Sequence, residues 1–261
     1  MKKIIFWLTM IVGIIAVIGA CKKSDDSTTT TTSCAGDSTF TIASSCSDTA
    51  SGSITGIDNA SLSGTFSPFH IYGIQGGYSV DNSTDCIDNS TFIESWANTI
   101  GYPTGATSAI VNHVVTSSST FAERFKFYSD SGCSTELASV VFGYDDLSNG
   151  GRASGLSTTI SGKSGTYPST ASKLTYNLSC AKFKGSTAAG VTWIKTLLNG
   201  TDPTVGTEYT CDVGTNARYA LMFVDNSSGG ALAYGNIITF EASETAVPSN
   251  WDDPDTYYTL P

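Results

Sequence analysis

Residues 173–180 read Lys-Leu-Thr-Tyr-Asn-Leu-Ser-Cys, and this octapeptide sets the fold class. Leu174, Tyr176, Leu178 and Cys180 alternate with Thr175, Asn177 and Ser179, so an extended strand puts the first group on one face and the polar group on the other. The same habit recurs in both directions along the chain. Arg124-Phe125-Lys126-Phe127 alternates, and Ile110–Val115, Val140–Tyr144, Tyr219–Val224 and Ile237–Phe240 are short runs rich in β-branched and aromatic residues. Turn-forming clusters separate these runs at 130–132 (DSG), 145–151 (DDLSNGG) and 225–230 (DNSSGG). Many short strands joined by such turns predict an all-β domain, an antiparallel β-sandwich or β-barrel. One or two short helices complete it. Thr91-Phe92-Ile93-Glu94 has the form of a capping box, with Ile93, Trp96 and Ile100 on one face and Gly101 as a stop, and residues 192–198 offer a second turn.

Charged residues make up 14% of the chain, against ~25% in an average globular protein. Ser, Thr and Gly take their place, which suits sheet surfaces and tight turns. The formal net charge is −10, and residues 24–123 contain no Lys or Arg. A nucleic-acid binder needs a basic footprint, so nucleic acid is excluded as a partner. Lys173, Lys182, Lys184 and Lys195 read as solvated surface.

The N-terminus divides into parts with separate physical jobs. Lys2 and Lys3 are positive, residues 4–17 (IIFWLTMIVGIIAV) are uncharged, and Ile18-Gly19-Ala20 leads into Cys21. This is the pattern of a secretory signal peptide. The apolar run approaches the ~17-residue lower limit for crossing a bilayer, so an uncleaved anchor is the alternative. Small residues before Cys21 and the abrupt polarity of Lys22-Lys23-Ser24-Asp25-Asp26 favour cleavage. Ile18-Gly19-Ala20-Cys21 resembles the bacterial lipobox. The resemblance implies that residues 1–20 are removed and that Cys21 is the lipid attachment site, carrying a diacylglycerol thioether and, in many bacteria, an N-acyl chain such as palmitate. Several chains at ~0.8 kcal/mol per buried CH2 hold a protein firmly on a membrane. Lys22, in place of Asp, directs the expectation to the outer membrane or cell surface. Residues 21–33 then form the lipidated cysteine and a Ser/Thr-rich tether with almost nothing to bury. Residues 34–261 form a single all-β domain.

Six further cysteines, Cys34, Cys46, Cys86, Cys133, Cys180 and Cys211, are disulfide candidates in an exported chain. Pairing neighbours in sequence gives Cys34–Cys46, Cys86–Cys133 and Cys180–Cys211. The last is suggested by two adjacent antiparallel strands, while the first needs a reversal near Ala35-Gly36-Asp37. No CxxC or His/Cys cluster points to zinc, so no metal or cofactor is expected.

The chemistry-bearing residues do not assemble into a motif. His70 and His113 are the two histidines, and His113 shares a strand face with Val111 and Val115. No G-x-S-x-G elbow accompanies them. Gly162-Lys163-Ser164 lacks the earlier glycine of a phosphate loop. Residues 145–156 place Leu147 and Leu156 where a calcium loop needs oxygen ligands, so this segment reads as a turn. Glu241 and Glu244 follow a strand and read as water-facing, and residues 251–258, which mix aromatics with acids, read as a tail packing its aromatics on the domain, with a contact surface as the alternative. With no catalytic residues, the chain reads as a non-enzymatic lipid-anchored protein that binds a macromolecular partner at the cell surface. The second reading is a periplasm-facing carrier holding a small apolar ligand in a barrel lined by Phe125, Phe127, Tyr176 and Phe223.

Overall fold

The computed structural model describes residues 46–56, 61–68, 80–81, 86–87, 101–161, 166–198, 202–225, 237–252 and 255–259. Strands are β1 (Ile54–Thr55), β2 (Ser61–Leu62), β3 (Thr65–Pro68), β4 (Val80–Asp81), β5 (Cys86–Ile87), β6 (Ser108–Val115), β7 (Phe121–Tyr128), β8 (Glu136–Ser154), β9 (Thr170–Gly185), β10 (Glu208–Asp225), β11 (Ile237–Ser243) and β12 (Asp255–Thr259), with helix α1 (Ala188–Leu197) between β9 and β10. The all-β expectation holds.

From β6 to β12 every strand pairs antiparallel with the next, and β3 pairs with β12 on one side and β6 on the other. The sheet therefore curls until β3 closes it, a barrel-like circuit. The closure is slight. β3 meets β6 at two residue pairs, Thr65 with Val114 and Phe66 with His113, while β5 runs along the other end of β6 through Cys86 and Ile110. The tall part of the wall is β6 to β10.

Alternation sorts the side chains as the sequence implies. Val111 and Val115 of β6, Phe125 and Phe127 of β7, and Val140 and Phe142 of β8 turn into one buried core. Helix α1 covers one end of it. Thr187 caps the helix by accepting from the backbone N of Gly190. Trp193 lies edge-on to Phe127 at 5.1 Å between ring centres. A Cβ on Gly190 would fall 1.9 Å from the Leu137 carbonyl oxygen, so the helix rests directly on β8. At the opposite end the β1–β2 pair contributes Ile54 and Leu62.

The outer side of the sheet carries a second, smaller cluster of Leu156, Tyr167, Leu221 and Trp251. Trp251 is 3% exposed and its Nε1 donates to the Pro168 carbonyl, so this aromatic packs on the domain. Phe223 joins this outer cluster and does not line the interior.

The turn and disulfide expectations are corrected in part. Residues 145–151 are no turn. They lie inside β8, whose pairing with β9 slips between Asp145 and Ser148 and again between Asn149 and Arg152. Asp146 and Gly151 take φ of 51° and 90° there. Residues that tolerate positive φ serve β-bulges as readily as turns, and composition does not separate the two. The 130–132 cluster is a true turn, with Asp130 accepting from the backbone N of Gly132, Ser134 and Thr135. The second helix begins earlier than expected, at Ala188, and the capping-box segment 91–100 lies outside the described residues.

The disulfides supply the other correction. Cys86–Cys133 forms as expected. Cys180 bonds Cys46, so neither Cys180–Cys211 nor Cys34–Cys46 exists. The cause is one extra residue in β9. Leu178 faces Tyr144 and Cys180 faces Gly143, so Ser179 has no residue of its own across the ladder. The alternation slips by one at this bulge. Leu178, Ala181 and Phe183 belong to the core, whereas Cys180 turns to the outer face. Cys211 faces Ala181 and joins the core, so the two cysteines stand on opposite sides of one sheet. Cys211 is disulfide-bonded to a cysteine outside the described residues.

A Cβ on Gly143 would meet the Cys180 Sγ at 2.2 Å and the Cys46 Sγ at 2.8 Å. Gly143→Val should therefore block the Cys46–Cys180 bond, exposing two titratable thiols and costing about 2–4 kcal/mol. The same change in a Cys46→Ser/Cys180→Ser background should cost markedly less. Equal costs in both backgrounds would remove the steric argument.

Candidate functional site

The barrel interior holds a polar cluster. His113 and Glu123 face each other across β6 and β7, with Nε2 3.4 Å from Oε1, and Tyr144 Oη donates to Glu123 Oε2 at 2.7 Å. All three residues are at most 8% exposed. Burial pushes the His113 imidazole down to about 3. The ring is therefore neutral at physiological pH, and its contact with Glu123 is not an ion pair. A group so far below neutrality is also poorly matched to general-base work near pH 7. Burial, and then the charge of Glu123, raises the Tyr144 phenol far above its ordinary value.

Above this cluster lies an apolar cavity lined by Ile54, Leu62, Phe66, His113, Phe121 and Phe240, among others, with about 40 Å3 of free room. Ligand pockets run ~300–1,000 Å3. The space below is filled by rings: Phe121 stacks on Tyr144 at 4.6 Å and meets Tyr176 edge-on at 4.9 Å. Phe125, Phe127 and Tyr176 face inward, as a carrier would need, yet they belong to one packed core.

Arg218 faces Tyr176 across β9 and β10, and its Nη2 lies 3.2 Å from Glu244 Oε1. Glu244 is thus paired. Glu241, expected to face water, is 8% exposed and accepts from the backbone N of Asp252 at 2.7 Å. It lies in β11, opposite Leu221.

Among the described residues the buried Tyr176 hydroxyl has no hydrogen-bond partner, whereas the Tyr144 hydroxyl is bonded. Tyr176→Phe should accordingly leave stability unchanged or raise it by up to ~1 kcal/mol, and Tyr144→Phe should lower it by about 1–3 kcal/mol. Urea unfolding of both variants checks this; equal losses would contradict it.

The outer face carries a different arrangement. Lys126 of β7, Ser139 of β8, Lys184 of β9 and Glu208 of β10 form one cross-strand row. Arg124, Val141, Lys182 and Thr210 form the next. Cations thus stand on β7 and β9, and the short side chains of Ser139, Val141 and Gly143 lie between them on β8. Strands are ~4.8 Å apart, so this is a trough about 9–10 Å across with a low floor. It encloses about 140 Å3.

Asp48, two residues past the Cys46 disulfide, reaches into the trough. Lys182 Nζ donates to its Oδ1 at 2.7 Å, and Arg124 Nη1 is 3.7 Å from its Oδ2. Arg124 is fixed by donating through Nη2 to Asn112 Oδ1 at 2.8 Å. Lys126 lies 4.0 Å from Glu136, and Lys182 lies 3.8 Å from Glu208. Burial works to raise the Asp48 carboxyl, but the Lys182 hydrogen bond and the charges of Lys182 and Arg124 outweigh it and hold the carboxyl below its ordinary 3.8.

The structure places Lys182 and Lys184 in this trough and the other two lysines of the expected surface group elsewhere. Lys173 is exposed and Lys195 pairs with Asp202. Lys182 is only 15% exposed, so it is not the freely solvated side chain its sequence context implied. Arg124 and Lys126 were missed as its companions. Their spacing of two was visible, but the strand order that sets them across β8 from Lys182 and Lys184 was not. Cys21, Cys34, His70 and residues 162–165 lie outside the described residues. Among the described residues, no group of three or more His, Cys, Asp or Glu could hold a metal ion.

No family model matches the chain, and comparison with curated proteins finds no match.

Because the folded Asp48 carboxyl titrates below its unfolded value, its contribution is complete above pH 3.8 and is lost as pH falls through the folded value. Asp48→Asn should lower stability by about 1–2 kcal/mol at pH 7. The gap between variant and parent should narrow as pH falls below 3.8 and close once the folded carboxyl is protonated. A gap independent of pH would show that the aspartate does not act through its charge.

Proposed function

We propose that the protein is an exported bacterial lipoprotein, anchored through Cys21, that binds a macromolecular partner at the cell surface through the outer face of its β-domain and carries out no catalysis. The anchor rests on Lys2, Lys3, the apolar residues 4–17 and Ile18-Gly19-Ala20-Cys21. Cys46–Cys180 and Cys86–Cys133 fit an oxidising compartment. The observation that carries the binding reading is the packed interior. Among the described residues, the apolar cavity inside leaves about 40 Å3 free, and the charged trough outside encloses about 140 Å3. The carrier reading draws support from the closed circuit of strands, since small barrels commonly hold one ligand. The stacked rings of Phe121, Tyr144 and Tyr176 weigh against it.

Metabolic labelling with an alkyne-tagged palmitate should mark the wild-type protein and leave Cys21→Ser unlabelled. Protease added to intact cells should then remove the protein while a periplasmic control survives. Labelling that persists in Cys21→Ser would refute the anchor. Full protection until the envelope is breached would refute surface display and favour the carrier.

A further inference from the structure

We propose that the trough on the outer face of β7, β8 and β9 is a binding site for a sugar acid, a sugar unit bearing one carboxylate within an envelope or host glycan. This inference rests on the surface-binding reading above and names the ligand class for it.

The trough already holds a carboxylate. Asp48 enters from a separate segment, pinned by Cys46–Cys180, and sits between Lys182 and Arg124 at 2.7 and 3.7 Å. The neighbouring row repeats the arrangement one strand period along, ~6.6 Å away. There Lys126 and Lys184 flank Ser139, with Glu136 4.0 Å from Lys126 and Glu208 across the ladder from Lys184. Lys184 has no carboxylate within 4 Å among the described residues, although Glu208 stands across the ladder from it. A ligand carboxylate bridging Lys126 and Lys184, with the Ser139 hydroxyl donating from the floor, reproduces at the second row what Asp48 does at the first.

The rim selects among anions. Arg124, Lys126, Lys182 and Lys184 face three carboxylates, those of Asp48, Glu136 and Glu208, so the trough has a single excess positive charge. That balance suits one ligand carboxylate. A dense polyanion would meet repulsion from the rim and from a chain of net charge −10. Glu136 already accepts from the Ser186 hydroxyl at 2.7 Å, and the Glu208 side chain is 53% exposed. Rim carboxylates are acceptors only, so they bind hydroxyl donors. A sugar acid carries both halves of this complement, a carboxylate for the lysines and hydroxyls for the glutamates. An acidic peptide offers the glutamates only backbone N–H donors, set along a line away from its side-chain carboxylates, whereas a sugar acid holds hydroxyls and carboxylate on one ring.

The test uses the purified full-length protein in detergent micelles and ligand-observed saturation-transfer NMR. Glucuronate is the probe, glucose the neutral comparison and a short Asp/Glu peptide the rival. Glucuronate should bind saturably and glucose should not. Lys126→Met and Lys184→Met should each weaken glucuronate binding tenfold or more, while Lys173→Met, outside the trough, leaves it unchanged. Ser139→Asp, which puts a carboxylate on the floor, should abolish binding by occupying the site. The proposal is overturned if glucuronate shows no saturable signal, if Lys173→Met weakens it equally, or if the acidic peptide binds as tightly. Absent binding with surface display intact removes the trough assignment alone; loss of surface display with binding intact removes only the cellular reading.

Discussion

The arrangement of this domain depends on one unpaired residue in its central strand. β9 lies between the two longest neighbours, and its inward and outward faces exchange at Ser179, where it contributes one residue more than β8. Before that point Leu174, Tyr176 and Leu178 fill the core; after it Ala181 and Phe183 do. Without the slip, Cys180, Lys182 and Lys184 would point into an apolar interior, where unpaired ammonium groups are prohibitively costly. With it, Cys180 meets Cys46 and the two lysines enter the outer trough.

Three outer features follow from the same phase. Gly143 stands opposite Cys180 and must lack a side chain for the disulfide to lie over β8. The disulfide fixes the segment that carries Asp48. Asp48 in turn reaches Lys182 and Arg124, tying β7 and β9 together above the short side chains of β8. Inside, the cost of burying Glu123 is offset in part by the Tyr144 hydroxyl. Burial in the core holds His113 neutral.

Much of the fold could be read from the chain because alternation has a fixed period of two, and Ile110–Val115, Phe125–Phe127, Val140–Tyr144 and Tyr219–Val224 all lie in strands. What escaped was anything that depends on phase or strand order. A bulge leaves no distinct mark in composition, so Ser179 looked like an ordinary outward residue and Cys180 like an inward one. The same ambiguity made 145–151 resemble a turn, since Asp, Asn and Gly suit both. Glu241 looked solvated because its partner, the Asp252 backbone, lies eleven residues on. The trough was half visible. Arg124 with Lys126 and Lys182 with Lys184 each showed the spacing of two, but only the intervening β8 makes them opposite walls of one site.

Mapping the disulfides of the unreduced full-length protein by proteolysis and mass spectrometry tests the phase of β9 most directly. A peptide pair linking Cys46 to Cys180 is expected, alongside Cys86 linked to Cys133. A link between Cys180 and Cys211 would place both on one face of the sheet, abolish the slip at Ser179, and remove Lys182 and Lys184 from the trough.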